Sequence, residues 1–234
     1  MSPAEAYREL ERDREALSRW WSHQMDRLRR QMIKSDRTTF PRAYGYTYTS
    51  PRRNCYLINC FISDKRMRDF GSICVAVDGM TAYISWINEY NGKKPHREVI
   101  MPHAWKRYGE RMQFEETGKA LIRKFFCRNF GCSGTRNQAV EARSLRYNGE
   151  EHVAMCMDDG VLLGIMEEDI FVGRTFITYE MAGTLQREEF DRVQHRRESP
   201  ALMVPLYKRY LPVPELQGPT IPKKLLEQAA GGKM

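Results

Sequence analysis

At 234 residues the chain can bury a substantial core, and its length suits one domain carrying helical extensions. Its 38 lysines and arginines outnumber 30 acids for a formal charge of +8, which favours anionic partners, nucleic acid ahead of membrane because no lipid-binding signal accompanies the charge. The N-terminus has no apolar signal core and no stretch nears the roughly 20 apolar residues that cross a bilayer, so a soluble, cytoplasmic protein with its six cysteines reduced is expected.

Residues 2–35 read as one long amphipathic helix, opened by Ser2-Pro3, with Leu10, Leu17, Trp20, Trp21, Met25, Leu28, Met32 and Ile33 spaced by three, four or seven. Its stripe suits packing on its own domain or a partner, including self-association through Leu17, Trp20, Trp21 and Leu28; its arginines suit direct contact with nucleic acid. Residues 36–53 form a linker or edge segment, broken by Pro41, Gly45 and Pro51. The alternation Tyr44-Gly45-Tyr46-Thr47-Tyr48 within it predicts an extended run. Aromatic rings between arginines can stack on bases, and they can equally cover a core from an edge strand.

An α+β core is expected over 54–198. Strands are predicted at 55–63, 72–77 and 81–87, the last two joined through Asp78-Gly79-Met80, where the turn needs residues that tolerate positive φ. Val99, Ile100 and Met101 then run as a short strand into a helix that begins at Pro102. A second helix follows from Glu115 or Gly118 to Phe130, with Leu121, Ile122, Phe125 and Phe126 inward and Lys119, Arg123, Lys124 and Arg128 outward. Residues 135–148 read as a loop or frayed helix near an anion site, with Arg136, Arg143 and Arg146. Three antiparallel strands come next, at 152–157, 161–166 and 169–178, then a helical period over 180–195. From Ser199 six prolines punctuate short apolar pieces, and the tail is expected to wrap the surface and fray. The fold class is α+β, an antiparallel sheet packed by helices.

The chemistry-bearing residues narrow to one helix. Cys55-x4-Cys60 and Cys127-x4-Cys132 fall in regular structure rather than knuckle turns, so no metal site is assigned. No phosphate-binding glycine loop occurs, and no cofactor is expected. Along Arg97–Met112, at about 100° per residue, His103, Arg107, Glu110 and Arg111 share one side and Ala104, Trp105, Tyr108 and Met112 the other. An imidazole in the first helical turn with two guanidinium forks beyond it suits a phosphodiester, whereas Glu110 pairing with Arg107 on a solvated face is the plain structural alternative.

The order of a strand, an H-A-x-x-R-x-x-E-R helix, a second helix and a meander closing in Gly173-Arg174-Thr175-Phe176-Ile177-Thr178-Tyr179 resembles the BrnT-like toxins and their relatives in the RelE, barnase, EndoU and colicin grouping of metal-independent ribonucleases. That resemblance spans roughly 99–179 and implies an endoribonuclease that uses the RNA 2′-hydroxyl as internal nucleophile. His103, Arg107, Glu110, Arg111, Arg174 and Tyr179 would be its catalytic set. Arg123, Lys124, Arg128, Arg136, Arg143 and Arg146 would line a basic cleft for RNA, and an antitoxin is an implied protein partner. The alternative is a non-enzymatic nucleic-acid-binding or protein-interaction protein of phage or mobile-element type.

Overall fold

The computed structural model describes residues 1–34, 42–62, 65–67, 70–85, 97–129, 133–135 and 150–198. Two helices occupy the N-terminal region, α1 (Pro3–Glu11) and α2 (Arg14–Lys34), where the sequence suggests one. Ser2 and Glu5 close a reciprocal capping box at the start of α1. At Arg12–Asp13 the backbone tightens to three-residue hydrogen bonds, because the Asp13 side chain turns into the sheet and accepts from the Tyr56 hydroxyl (2.9 Å) and the Asn54 amide (2.8 Å). Only 2% of Asp13 is exposed, so those partners offset the cost of burying a carboxylate, a long-range demand that spacing cannot show.

The strands are β1 (Arg42–Thr49), β2 (Cys55–Ile62), β3 (Phe70–Asp78), β4 (Thr81–Ser85), β5 (Arg97–Ile100), β6 (Ser133–Thr135), β7 (His152–Cys156), β8 (Val161–Glu167) and β9 (Ile170–Ile177). Among the described residues they form a single nine-stranded sheet in the order β1-β2-β3-β4-β5-β9-β8-β7-β6. Every neighbouring pair is antiparallel except β5 and β9, which run parallel from Arg97↔Ile170 to Ile100↔Gly173. Gly79 takes the positive φ (57°) that the β3–β4 hairpin requires.

Helices cover both faces. On one side α3 (Pro102–Met112) and α4 (Gly118–Arg128) bury Trp105, Tyr108, Ile122 and Phe125 against Leu57, Val75, Ile84, Leu162 and Phe176. On the other, α2 lays Leu17, Trp21, Met25 and Leu28 over Tyr46, Tyr56, Ile58 and Cys60. The apolar stripe of α2 is therefore spent on its own sheet, with Trp20 stacked on Tyr48 at 4.8 Å. A fifth helix, α5 (Thr184–Glu198), follows a short 3-10 turn and seats Phe190 on Ala154, Cys156 and Val161. Burial from both faces explains the nearly unbroken apolar run of β2, Cys55–Ile62. The tail from Ser199 and the segments around Trp86–His96 and Arg136–Gly149 lie outside the described residues.

Tyr7 fastens α1 across the centre of the sheet. Its hydroxyl accepts the Glu98 N–H (2.9 Å) and donates to the Glu98 carbonyl (2.6 Å), with the Ile84 carbonyl at 2.8 Å sharing the proton. Its ring meets Tyr83 edge-on at 5.9 Å. Tyr7→Phe keeps the ring and strands a buried amide, so we expect a loss of about 1–3 kcal/mol in urea unfolding followed by circular dichroism. An unchanged midpoint would show that α1 is held by apolar packing alone.

Candidate functional site

Helix α3 rises directly from β5, with Pro102 at its first position and the Met101 N–H donating to the Gly173 carbonyl of β9 (2.9 Å). Ala104, Trp105 and Tyr108 face inward, Trp105 edge-on to Phe125 at 5.0 Å and Tyr108 edge-on to Phe125 and Phe176 at 4.9 and 5.0 Å. Those ring contacts fix the rotation of the helix. They leave His103, Lys106, Arg107 and Glu110 turned outward.

The outward groups form a connected string. Arg107 Nε donates to His103 Nε2 (3.4 Å), and Arg107 Nη1 donates to Glu110 Oε2 (3.0 Å), whose other oxygen is 3.9 Å from Lys106 Nζ. Arg111 lies at the inner edge of this face. Burial, then the charge of Arg107, pull its guanidinium below the usual arginine pKa, and its Nη1 is buried without an acceptor among the described residues. Lys106, absent from the sequence-based set, is the most exposed of these cations at 72% and sits one turn before Glu110, a spacing that would have revealed it.

Arg174 and Tyr179 are anchored elsewhere. The pairs Leu163↔Thr175 and Gly164↔Gly173 leave Arg174 as the extra residue of a β-bulge. Ile170 and Val172 pack with Tyr7 on the α1 side of the sheet, and Arg174 continues that alternation to meet Glu150 (3.0 and 3.3 Å) and Glu167 (3.6 Å). Tyr179 donates to the Met157 carbonyl (2.5 Å) and places its ring near Phe190. The four α3 residues thus share one helix while the other two of the expected catalytic set serve the opposite face and the β7–β8 turn.

The α4 cations are engaged within the fold. Arg123 donates to the carbonyls of Tyr46 and Ile58, to Thr47 Oγ1 (2.7 Å) and to Asn59 Oδ1 (3.0 Å), clamping α4 to β1 and β2. Lys124 pairs with Glu116 (2.5 Å) and lies 4.0 Å above the Phe114 ring. Arg128 grips Asp159 with two hydrogen bonds of 2.7 and 2.6 Å. Arg136, Arg143 and Arg146 fall outside the described residues.

Asp159 is a hub that turn composition alone concealed. Besides Arg128 it accepts from the Tyr108 hydroxyl (2.7 Å) and the Asn129 amide (3.1 Å), while its own N–H donates to Asn129 Oδ1 (3.0 Å). The same turn needs Gly160, whose φ is 151° and where a Cβ would collide with the Ile177 carbonyl and the Phe176 ring. The hub locks α3, α4 and the β7–β8 turn into one rigid unit, so the exposed face of α3 is presented on a fixed base. Among the described residues no group of three or more histidine, cysteine or acidic side chains is placed to hold a metal ion. Cys60 and Cys127 are buried thiols pushed up to about 12 by that burial. No described helix is long and apolar enough to cross a membrane.

No protein-family model, curated protein or solved structure matches the chain.

Burial by itself raises the Asp159 pKa, but hydrogen bonds from Arg128 and Tyr108 outweigh it and hold the carboxyl below its ordinary 3.8. A depressed folded pKa contributes stability above the unfolded value and loses it as pH falls through the folded one. Asp159→Asn is expected to cost about 2 kcal/mol at neutral pH, and the gap to wild type should close progressively below pH 3.8. Denaturant titrations of both proteins across that range test this, and a gap independent of pH would refute the ionic account.

Proposed function

We propose that the protein binds RNA through the outward face of α3, with His103, Lys106, Arg107 and Arg111 as the phosphate-contacting groups. The observation that carries this reading is the placement of an imidazole, an ammonium and a guanidinium on the solvent side of a helix whose inner side is locked by Trp105 and Tyr108. Guanidinium and ammonium donors recognise phosphate oxygens without needing a base sequence, and a rigid helix loses little entropy on docking. The net positive charge supports the same partner, since much of its excess belongs to Arg136, Arg143 and Arg146 and to the lysines of the tail, Lys208, Lys223, Lys224 and Lys233.

A second reading, metal-independent cleavage, is favoured by one contact. His103 Nε2 accepts from Arg107, and its lone pair is freed to take a proton when that guanidinium turns to a phosphate. In that reaction His103, or alternatively Glu110, takes the 2′-hydroxyl proton and the 2′-oxygen attacks phosphorus. Arg107 and Arg111 stabilise the phosphorane, and the P–O5′ bond breaks as an acid protonates the leaving oxygen. Arg174 and Tyr179 have no step in this scheme. An antitoxin as protein partner belongs to this second reading alone.

Fluorescence anisotropy with a labelled RNA of about 20 nucleotides, between about 50 and 200 mM salt, tests the first reading. Wild type should bind with strong salt dependence, and Lys106→Ala/Arg107→Ala should weaken binding at least about tenfold and flatten the log–log salt slope by about 1.4, since each single-strand phosphate contact contributes about 0.7. Absence of wild-type binding, or equal binding by the variant, rejects the interface. For the second reading, His103→Ala should lower cleavage in EDTA by about 10² to 10⁴-fold while circular dichroism stays unchanged. RNA that survives the wild-type protein intact removes the cleavage reading and leaves the binding reading standing.

A further inference from the structure

Glu110 occupies an unusual place on the α3 face. It is the acid among the outward groups, and its two oxygens divide between Arg107 Nη1 at 3.0 Å and Lys106 Nζ at 3.9 Å. Its charge also acts on Arg111, where it partly counters the repulsion from Arg107. One carboxylate thus pairs with two cations, where a phosphate group would make the same charge-assisted contacts. The pairs are accessible to water, with Glu110 45% and Arg107 42% exposed, and exposed pairs of this kind are weak enough to exchange readily for another anion.

We propose that Glu110 is a built-in occupant of a phosphate site, displaced when RNA docks. The inference rests on the RNA-binding reading and specifies how that site is regulated. A lone phosphate gains little by replacing a tethered carboxylate, because the exchange trades one anion for another. A polyanion that also reaches His103 and Lys106 gains several contacts for one displacement, so the device selects extended phosphate chains over single small anions.

Four variants and the anisotropy assay separate the outcomes. Glu110→Gln retains the shape of the side chain and removes its charge. It should tighten RNA binding about twofold to fivefold. Glu15→Gln removes the same charge from α2 on the opposite face, where Glu15 pairs with Arg19 at 3.5 Å, and should change affinity less than twofold. In an Arg107→Ala background the gain from Glu110→Gln should largely vanish, since the two act as a pair. Equal or weaker binding by Glu110→Gln overturns the proposal, as does an equal gain from Glu15→Gln or a gain that survives without Arg107. Failure of the wild-type protein to bind RNA defeats the underlying reading instead, so the two failures are distinguishable.

Discussion

The parallel pairing of β5 with β9 is the constraint on which the architecture depends. Strands β1 to β4 form one antiparallel meander and β6 to β9 another, and the four residues of β5 join them into a continuous sheet. Two antiparallel neighbours can be linked by a hairpin, but a strand cannot lie parallel to its partner without a crossover. Here α3 and α4 supply that crossover, carrying the chain from the middle of the sheet to the far edge, from which β6 to β9 return to β5. Helix α3 therefore starts at the seam, tied to it by the Met101–Gly173 hydrogen bond, and its rotation is inherited from the sheet beneath.

That origin separates two classes of cation. Arg123 and Arg128 extend from α4 toward the sheet and the β7–β8 turn, where carbonyls and the Asp159 carboxylate take up their donors. Their burial is affordable only because those acceptors are met, as an unpaired charge in such a place would cost several kcal/mol. Among the described residues, His103, Lys106 and Arg107 extend to water and bond to one another and to Glu110. The same residue types thus hold the fold together on α4 and face water on α3, and the difference lies in what each helix faces.

The N-terminal helices add the second layer and make the protein a three-layer sandwich of helices on a central sheet. Both depend on single polar side chains that enter an apolar setting with their partners in place, Tyr7 at β4 and β5 and Asp13 at β2. Such satisfied polar contacts contribute modest net stability, but each specifies which element lies where, because misplacement leaves a buried donor or acceptor unmet.

Local chemistry was legible in the residues themselves. The Asp78-Gly79-Met80 hairpin, the meander of β7 to β9, the start of α3 at Pro102 and the outward grouping of His103, Arg107 and Glu110 all follow from turn preference and periodicity, which operate over a few neighbours. The break at Asp13, the parallel seam, the engagement of Arg123 and Arg128, and the departure of Arg174 and Tyr179 from α3 were decided by tertiary structure alone. Each depends on a partner 20 or more residues away, as when Tyr179 meets Met157 or Asp13 meets Tyr56, separated by 22 and 43 positions. Periodicity assigns a side chain to a face; only the assembled sheet determines what stands opposite that face, and hence whether a charge is consumed by the fold or left facing water.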